Sequence, residues 1–309
     1  MGMSHYGGVA RLEVMRVETF LEHREILVGV AYRILGSAVD AEDIVQEAWV
    51  RWSEVAEGEV LDARAFLVRV TTNLAIDRLR RLKVRRESYV GDWLPEPVST
   101  GPEVAESAEL ADSVELAMLV VLETLSPLER AVFVLREVFG YSHAEIAEVL
   151  GRAEPAVRQL ARRAREHVRE RRPRFDVDRR ERREVTERFI GACAGGDLSG
   201  LMELLAKDVT LVSDGGGKVR APRRMLVGAD HVGRFLLAIA SKSGVESYLA
   251  RLGVPDGVWF EAEVSDVNGA PALVFTAAGS VFAVMSLVVV DGRVATVYLM
   301  ANPEKMSHV

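Results

Sequence analysis

Apolar residues in the middle of the chain repeat with helical spacing in three consecutive short runs. The first run follows Ser126 and Pro127, which are typical of a helix N-cap and first turn, and it stops at Gly140. The second begins at Ser142 and ends at Gly151, a residue suited to a left-handed C-cap. The third run has one apolar stripe, formed by Val157, Leu160, Ala161, Ala164 and Val168. The pattern predicts a helix-turn-helix.

The polar face of the third helix predicts contact with DNA. Ala147, Gly151 and Val157 follow one another as a small packing residue, a turn residue and a branched anchor, as a helix-turn-helix requires. Opposite the apolar stripe lie side chains suited to DNA phosphates and to the edges of guanine and adenine. These are Arg152, Arg158, Gln159, Arg162, Arg163 and Arg165. The alternative is a solvated basic face on an ordinary helical bundle.

Two further helices are predicted near the start of the chain. Helical spacing begins at Leu12 and stops at Gly36, and Asp40 is then expected to cap the second helix. The apolar face of that helix ends in Trp52 and Val55. Its opposite face is acidic and polar, with Asp40, Glu42, Asp43, Gln46 and Glu47. For an isolated helix, such a face is most simply solvated.

A basic helix is predicted over residues 66–81. One stripe of this helix carries Arg69, Asn73, Asp77 and Arg80. Residues 78–86 contain six cations, among them Arg78 and Arg81, and no acidic residue. This density is typical of a salt-sensitive contact with phosphates and exceeds what a helix end needs to complement its macrodipole.

Three strings in this region carry a specific resemblance. The strings are AYRILG at 31–36, DAEDIVQE at 40–47 and NLAIDRLRR at 73–81. Together they resemble domain 2 of the extracytoplasmic-function sigma factors of bacterial RNA polymerase, and the helix-turn-helix resembles domain 4. The resemblance implies that the acidic helix, including Trp52, docks on the polymerase clamp helices.

The same resemblance implies roles in promoter opening. The helix carrying Arg69, Asn73, Asp77, Arg78, Arg80 and Arg81 is expected to engage the −10 element as it melts, and the loop at 53–62 to accept a flipped base. The recognition helix departs from the family, because QLA stands at 159–161 where many members have SRL. The preferred −35 bases therefore stay open.

Residues 87–115 predict an acidic linker. This segment contains eight Asp and Glu residues and no Lys or Arg, and its first half is rich in proline. In the family, the equivalent linker threads a basic polymerase channel. A disordered spacer is the alternative for the part after Pro97. Trp93 and Leu94 are unusual in a spacer and predict a surface against which they are buried.

The last third of the chain predicts an α+β domain. Two helices precede a strand at 209–212, and Asn268-Gly269 and Asp291-Gly292 are typical of two-residue hairpins. The runs between Val258 and Met300 are nearly apolar throughout, so both faces of the expected curled antiparallel sheet need a cover. This third resembles SnoaL-like domains, which are small α+β cones that act as cyclases, isomerases or docking modules.

Three signatures narrow the resemblance to the sigma-J-like subgroup, whose members carry a fused SnoaL-like domain. They are WLPEP at 93–97, DGGGK at 214–218 and NPEK at 302–305. In this subgroup the fused domain is thought to contact domain 2 and the linker, and no separate anti-sigma protein is expected. The interdomain residues implied are Trp93, Leu94, Pro95, Asp214, Gly215, Gly216, Gly217, Lys218, Asn302 and Pro303.

The chain as a whole is expected to be multidomain, with two all-α sigma domains followed by the α+β cone. The predicted boundaries are 11–88 for domain 2, 89–112 for the linker, 113–174 for domain 4 and 180–309 for the SnoaL-like domain. One cysteine among 309 residues, and no visible signal peptide or membrane span, favour the cytosol. The net charge of −7 says nothing about nucleic acid, because the charge is unevenly distributed.

The function predicted from these features is that of an alternative sigma factor. Its expected partners are core RNA polymerase and promoter DNA, with no metal, cofactor or membrane and an unidentified small ligand possible in the cone. Two alternatives remain at this stage: a ligand-responsive helix-turn-helix regulator that acts without polymerase, and a SnoaL-type cyclase or isomerase with a DNA-binding appendage. The catalytic candidates for an enzyme would be Asp208, Asp214 and His231.

Overall fold

The computed structural model describes residues 4–56, 58–100, 115–171, 178–219, 221–255 and 257–309, with side chains from residue 14 onward. The chain forms two compact units. The first draws on residues 1–84 and 122–170, and the second on residues 85–121 and 171–309. The acidic part of the predicted linker at 101–114 lies outside the described residues.

Up to residue 171, the elements of regular secondary structure in the described ranges are all helices. They are α1 (Ser4–Leu35), α2 (Ala38–Ser53), α3 (Ala63–Arg86), α4 (Leu116–Glu123), α5 (Pro127–Phe133), a π-helical turn (Val134–Val138), α6 (His143–Leu150) and α7 (Glu154–Arg171). No helix in the described ranges has the length and the apolar character needed to cross a membrane.

The turn between α1 and α2 corrects the sequence analysis at one position. Gly36 has a φ of 71°, and Ser37 follows with φ −134° in an extended conformation. The hydroxyl of Ser37 accepts the backbone N–H of Asp40 at 3.1 Å, so Ser37 is the N-cap of α2. Asp40 already lies inside the helix, and its carboxylate is bound to Arg78 at 2.8 Å.

The two helices of the predicted DNA-binding motif have strong local start and stop signals. Ser142 and Glu145 form a reciprocal capping box at the start of α6, and these hydrogen bonds lower the pKa of Glu145 below its ordinary value. Gly151 ends α6 in the left-handed conformation with φ 60°. The apolar stripe of α7 is buried along its whole length, as its spacing predicts.

The second unit is built on one six-stranded sheet. Its elements after residue 178 are α8 (Arg179–Ala194), α9 (Leu198–Leu204), β1 (Leu205–Asp214), β2 (Leu226–Val227), α10 (Ala229–Ala240), α11 (Lys242–Arg251), β3 (Phe260–Val267), β4 (Ala270–Ala277), β5 (Ser280–Val290), β6 (Arg293–Met300) and a 3₁₀ turn (Pro303–Lys305). The strand order is β2-β1-β6-β5-β4-β3. β1 pairs with β6 in parallel while the other neighbours are antiparallel, so the sheet is mixed and not wholly antiparallel as expected.

Both faces of this sheet are covered, as its apolar strands require. Side chains such as Leu287, Val297 and Leu299 pack on one face against α8, α9 and α10. On the other face, Tyr298 and Met300 pack in a cluster with Leu94, Leu116 and Ala117. The second cover therefore comes from the interdomain linker and the start of α4, where the sequence analysis had left a curl of the sheet or a ligand as the options.

Substitution of Gly151 tests the turn between α6 and α7. A Cβ at this position meets nothing within 4 Å, so Gly151→Ala adds only the strain of a left-handed backbone. We expect the free energy of unfolding in urea to fall by about 1–2 kcal/mol. Gly191→Ala is the matched control, because Gly191 is helical and its Cβ also meets open space. This variant should gain about 0.5–1 kcal/mol. Equal effects at the two positions would contradict the assignment.

Candidate functional site

The basic side chains of α7 are exposed, as contact with DNA requires. Arg158, Arg162, Arg163 and Arg165 each pair with a carboxylate, on Glu154, Glu166, Glu129 and Glu137 respectively. Exposed pairs of this kind contribute about 0–1 kcal/mol each. Exchanging these carboxylates for DNA phosphates therefore costs little. Arg152 and Gln159, the remaining residues predicted for the −35 element, are also exposed.

The predicted melting face of α3 is only partly free. Arg69, Asp77, Arg80 and Arg81 are exposed, and Arg80 pairs with Asp77 at 2.8 Å. Asn73 is half-buried, because its amide donates to the carbonyl oxygen of Val149 on α6 at 2.9 Å. A residue predicted to engage single-stranded DNA is thus held by the helix-turn-helix.

Arg78 joins two sets of residues that were predicted to have different partners. Its guanidinium donates to Asp40 at 2.8 Å through Nε, and it lies 3.4 Å from Asp43. Asp40 and Asp43 belong to the predicted polymerase-binding face, whereas Arg78 belongs to the DNA-binding set. The pairing joins α2 to α3, so the predicted polymerase-binding and DNA-binding residues are in direct contact.

The acidic face of α2 is exposed except at one position. Glu42, Asp43, Gln46 and Glu47 are exposed, while Asp40 is half-buried beneath Arg78. Trp52 lies on the buried face of α2, as its helical spacing predicts, and not on the exposed face that would dock on polymerase. Its ring packs against Phe66, and its Nε1 donates to the carbonyl of Arg16 at 3.1 Å. Its side chain supports the face from within.

The first unit also contains a cavity of about 590 Å³ beside the loop predicted to accept a flipped base. One wall comes from that loop and α3, including Asp62, Phe66 and Arg69, and the other from residues 139–149. The loop predicted to accept a flipped base therefore faces the helix-turn-helix.

The second unit holds the predicted interdomain residues around one buried carboxylate, that of Asp214 at the end of β1. It accepts the Tyr89 hydroxyl at 2.6 Å, the Leu94 backbone N–H at 2.9 Å and the Lys305 ammonium at 2.7 Å. The backbone N–H of Gly216 adds a fourth bond at 3.0 Å. Asp214 is 0% exposed, so these donors replace its whole hydration shell. We call this arrangement the Asp214 cluster.

Lys305 carries the balancing charge of the Asp214 cluster. Burial lowers the pKa of Lys305, and the adjacent Asp214 carboxylate opposes that shift. The Lys305 ammonium also lies 3.9 Å from the centroid of the Trp93 ring, and the Arg86 guanidinium lies 3.3 Å from it. Burial and the hydrogen bond to Asp214 raise the pKa of the Tyr89 phenol, so this phenol remains a donor.

Of the two linker residues predicted to be buried, Trp93 and Leu94, only Leu94 is fully buried. Leu94 is 1% exposed and Pro95 is buried, whereas Trp93 is only half-buried beneath its two cations. The linker continues as an ordered strand-like segment beyond Pro97. Its Ser99 N–H binds the carbonyl of His308 at 2.8 Å, and the Asn268 N–H binds the carbonyl of Val98 at 2.9 Å.

Close approach explains the glycines of the 214–218 turn. A Cβ on Gly216 would lie 2.5 Å from the side-chain amide of Asn302, and one on Gly217 would lie 3.1 Å from Val90 of the linker. Both glycines also have positive φ. A Cβ on Gly215 would lie 2.9 Å from the Cβ of Ala221. Lys218 forms an exposed ion pair with Glu304. Pro303 opens the 3₁₀ turn after Asn302.

Two residues of the Asp214 cluster were missing from the predicted site. Lys305 was part of the NPEK signature but was not assigned as the partner of Asp214, and Tyr89 was not assigned to the site. The two residues lie 91 and 125 positions from Asp214. No local spacing links either residue to Asp214. The one signal in the sequence was that Lys305 closely follows an apolar strand, where a buried lysine needs a carboxylate partner.

The C-terminal domain contains a cavity of about 640 Å³, and none of the three catalytic candidates lines it. Asp208 is exposed, and His231 is exposed with its Nδ1 3.3 Å from the carbonyl of Val227. Asp214 is committed to the linker. Among the described residues, no group of three or more His, Cys, Asp or Glu side chains is arranged to hold a metal ion.

Comparison with known proteins assigns both helical regions. Residues 19–85 match the family model for Sigma-70 region 2, and residues 115–168 match the model for Sigma-70, region 4. These ranges contain the predicted melting face of α3 and residues 154–168 of α7. The helical part of the chain is therefore that of a sigma-70-type transcription initiation factor.

Relatives similar over nearly the whole chain extend the match. The chain is 38% identical to the ECF RNA polymerase sigma factor SigJ of Mycobacterium tuberculosis over 300 residues, covering 95% of this chain and 94% of the relative. It is 34% identical to a probable ECF RNA polymerase sigma factor SigI of the same species, covering 70% and 73%. The crystal structure of M. tuberculosis SigJ matches with a TM-score of 0.74 and 36% identity over 94% of this chain and 98% of that one.

The chain belongs to the extracytoplasmic-function sigma factors of RNA polymerase, and it resembles SigJ in its helical sigma regions and in its fused C-terminal domain. It is an alternative sigma factor that directs RNA polymerase to promoters.

Removal of the Asp214 charge tests the cluster. Asp214→Asn leaves the Lys305 ammonium buried without its counterion. We expect the free energy of unfolding to fall by about 3 kcal/mol. This is the lower end of the range for a broken buried ion pair, because Lys305 can release its proton. Limited proteolysis should then cut the linker at 89–100 at least tenfold faster. Asp208→Asn is the control, since Asp208 is exposed. Equal cleavage in both variants would contradict the role of Asp214.

Proposed function

We propose that this sigma factor reads the −35 element with α7 and the melting −10 element with α3, while the exposed acidic face of α2 binds core polymerase. The exposure of the α7 arginines and their weak carboxylate pairs support the first role. The exposed Arg69, Arg80 and Arg81 support the second. The run of Glu42, Asp43, Gln46 and Glu47 supports the third.

The first unit must open before it can bind a promoter. Asn73 is bound to Val149, and the base-binding loop faces residues 139–149, so both DNA-reading regions lie in one compact body. The −10 and −35 elements are separate sites on the DNA. Core polymerase supplies the binding energy that separates α3 from α6, as a ligand does when it prefers one of two conformations.

The C-terminal domain regulates the sigma regions through the linker. The single observation that carries this proposal is the Asp214 carboxylate, which binds Tyr89 and Leu94 of the linker and Lys305 of its own domain. A linker held in this way is withheld from the polymerase channel where the family places it. The domain thus does the work of an anti-sigma protein within the same chain, and it has no enzymatic role.

Transcription in vitro from DNA fragments with randomised −10 and −35 elements tests the role of α7. Arg162→Glu reverses the charge of an exposed side chain, and we expect transcript yield with core polymerase to fall about 10- to 100-fold, the equivalent of 1–3 kcal/mol for a lost DNA contact. Arg180→Glu on α8, an equally exposed position in the second unit, is the control.

Both variants should bind core polymerase as the unmodified chain does. Equal transcript yields for Arg162→Glu and Arg180→Glu would contradict the assignment of α7. Tight binding of the chain to duplex DNA without polymerase would favour a stand-alone regulator instead.

A further inference from the structure

The C-terminal domain encloses a cavity that the proposed function does not use. Its volume is about 640 Å³, within the range of pockets that bury most of a small molecule. The wall is formed by α8, α10, α11 and one face of the sheet. Aromatic side chains dominate it, namely Phe189, Phe235, Tyr248, Phe260, Phe275 and Phe282. The interior therefore favours a ligand with an apolar body.

The ionisable side chains of the cavity wall indicate which polar group a ligand would carry. Burial raises the pKa of the Cys193 thiol to about 12, so the thiol is neutral. The Tyr248 hydroxyl lies 2.7 Å from the carbonyl oxygen of Ala301 and has its proton committed there. Arg251 is the one charged side chain among the described lining residues. It is exposed and makes no hydrogen bond or ion pair with any described residue.

No carboxylate or histidine is found among the described residues that line the wall. A positive charge at the rim of an apolar cavity is complementary to a ligand with one anionic group. A basic or cationic group on the ligand would find no carboxylate to pair with among the described residues of the wall. The chemistry of the wall thus favours binding of an acid and provides no group for acid–base catalysis.

The cavity wall is connected to the Asp214 cluster by hydrogen bonds. Ala301 lines the cavity and accepts from Tyr248, and its backbone N–H donates to the carbonyl of Asp214 at 2.8 Å. Pro222 also lines the cavity, and its carbonyl accepts the hydroxyl of Ser213 at 2.9 Å. A molecule in the cavity therefore contacts both backbone segments that position the Asp214 carboxylate.

We propose that this cavity binds a small apolar carboxylic acid, with its body among the aromatic side chains and its carboxylate on Arg251, and that its occupancy strengthens the hold of Asp214 on the linker. The binding half stands alone, and the second half rests on the proposed regulatory role of the linker. Because the ligand binds the ordered wall, it stabilises the backbone that carries Asp214.

Calorimetry on the full chain tests the binding half with two matched pairs of probes, decanoate with 1-decanol and 2-naphthoate with 2-naphthol. At least one acid should bind more tightly than its neutral partner. Arg251→Gln should weaken that acid about two- to fivefold, the worth of an exposed ion pair, and leave the neutral probe unchanged. Lys242→Gln, on the same helix outside the cavity, should change neither.

Ala238→Phe provides a second variant, because Ala238 is an exposed lining residue whose enlargement reduces the space for a ligand without disturbing the core. It should abolish binding of the acid. Binding that survives Ala238→Phe, or acids that bind no better than their neutral partners, would overturn the assignment of the cavity.

The link to the linker is measured as the rate of proteolytic cleavage at 89–100. Saturation with the bound acid should slow cleavage in the unmodified chain and have no effect in Ala238→Phe. Binding with an unchanged rate would overturn the coupling between cavity and linker. It would leave the role of Asp214 itself untouched, since that role is tested by Asp214→Asn without any ligand.

Discussion

The arrangement of the second unit depends on one buried carboxylate. Asp214 has no access to water, and its charge is compensated by Lys305 and by donors from the linker and from its own turn. Removal of the charged partner of a buried ion costs several kcal/mol. The linker, the Gly215–Gly217 turn and the C-terminal 3₁₀ turn are therefore bound to one another, and a change in one is felt by the others.

The sheet explains why a linker segment is needed at that place. Its strands are apolar on both sides, and α8, α9 and α10 cover only one of them. Leu94 and the start of α4 complete the second side with Tyr298 and Met300. The linker thus connects the two sigma regions and forms part of the core of the C-terminal domain. Release of the linker would expose apolar sheet surface, so the burial of that surface stabilises the held state.

Local signals in the sequence predicted much of this fold, and long-range pairing set the rest. The capping boxes at Ser126 and Ser142, the turn at Gly151 and the hairpins at Asn268 and Asp291 act within a few residues and were readable. A third hairpin at Ala278-Gly279 was not recognised, because alanine with a φ of 51° is unusual in such a turn. The parallel pairing of β1 with β6 and the partnership of Asp214 with Lys305 join residues about 90 positions apart. The burial of Trp52 likewise depends on Phe66 and on α1, which periodicity alone does not place.

Site-resolved hydrogen exchange of the Leu94 amide in the unmodified chain tests most directly whether the Asp214 carboxylate holds the linker. This N–H donates to a side-chain carboxylate and belongs to no helix or strand, so its protection reports the Asp214 cluster alone. The account predicts that it exchanges as slowly as the amides of the β5–β6 ladder, and that binding of core polymerase makes it fast. Exchange in the free chain at the rate of an exposed loop amide would contradict the account.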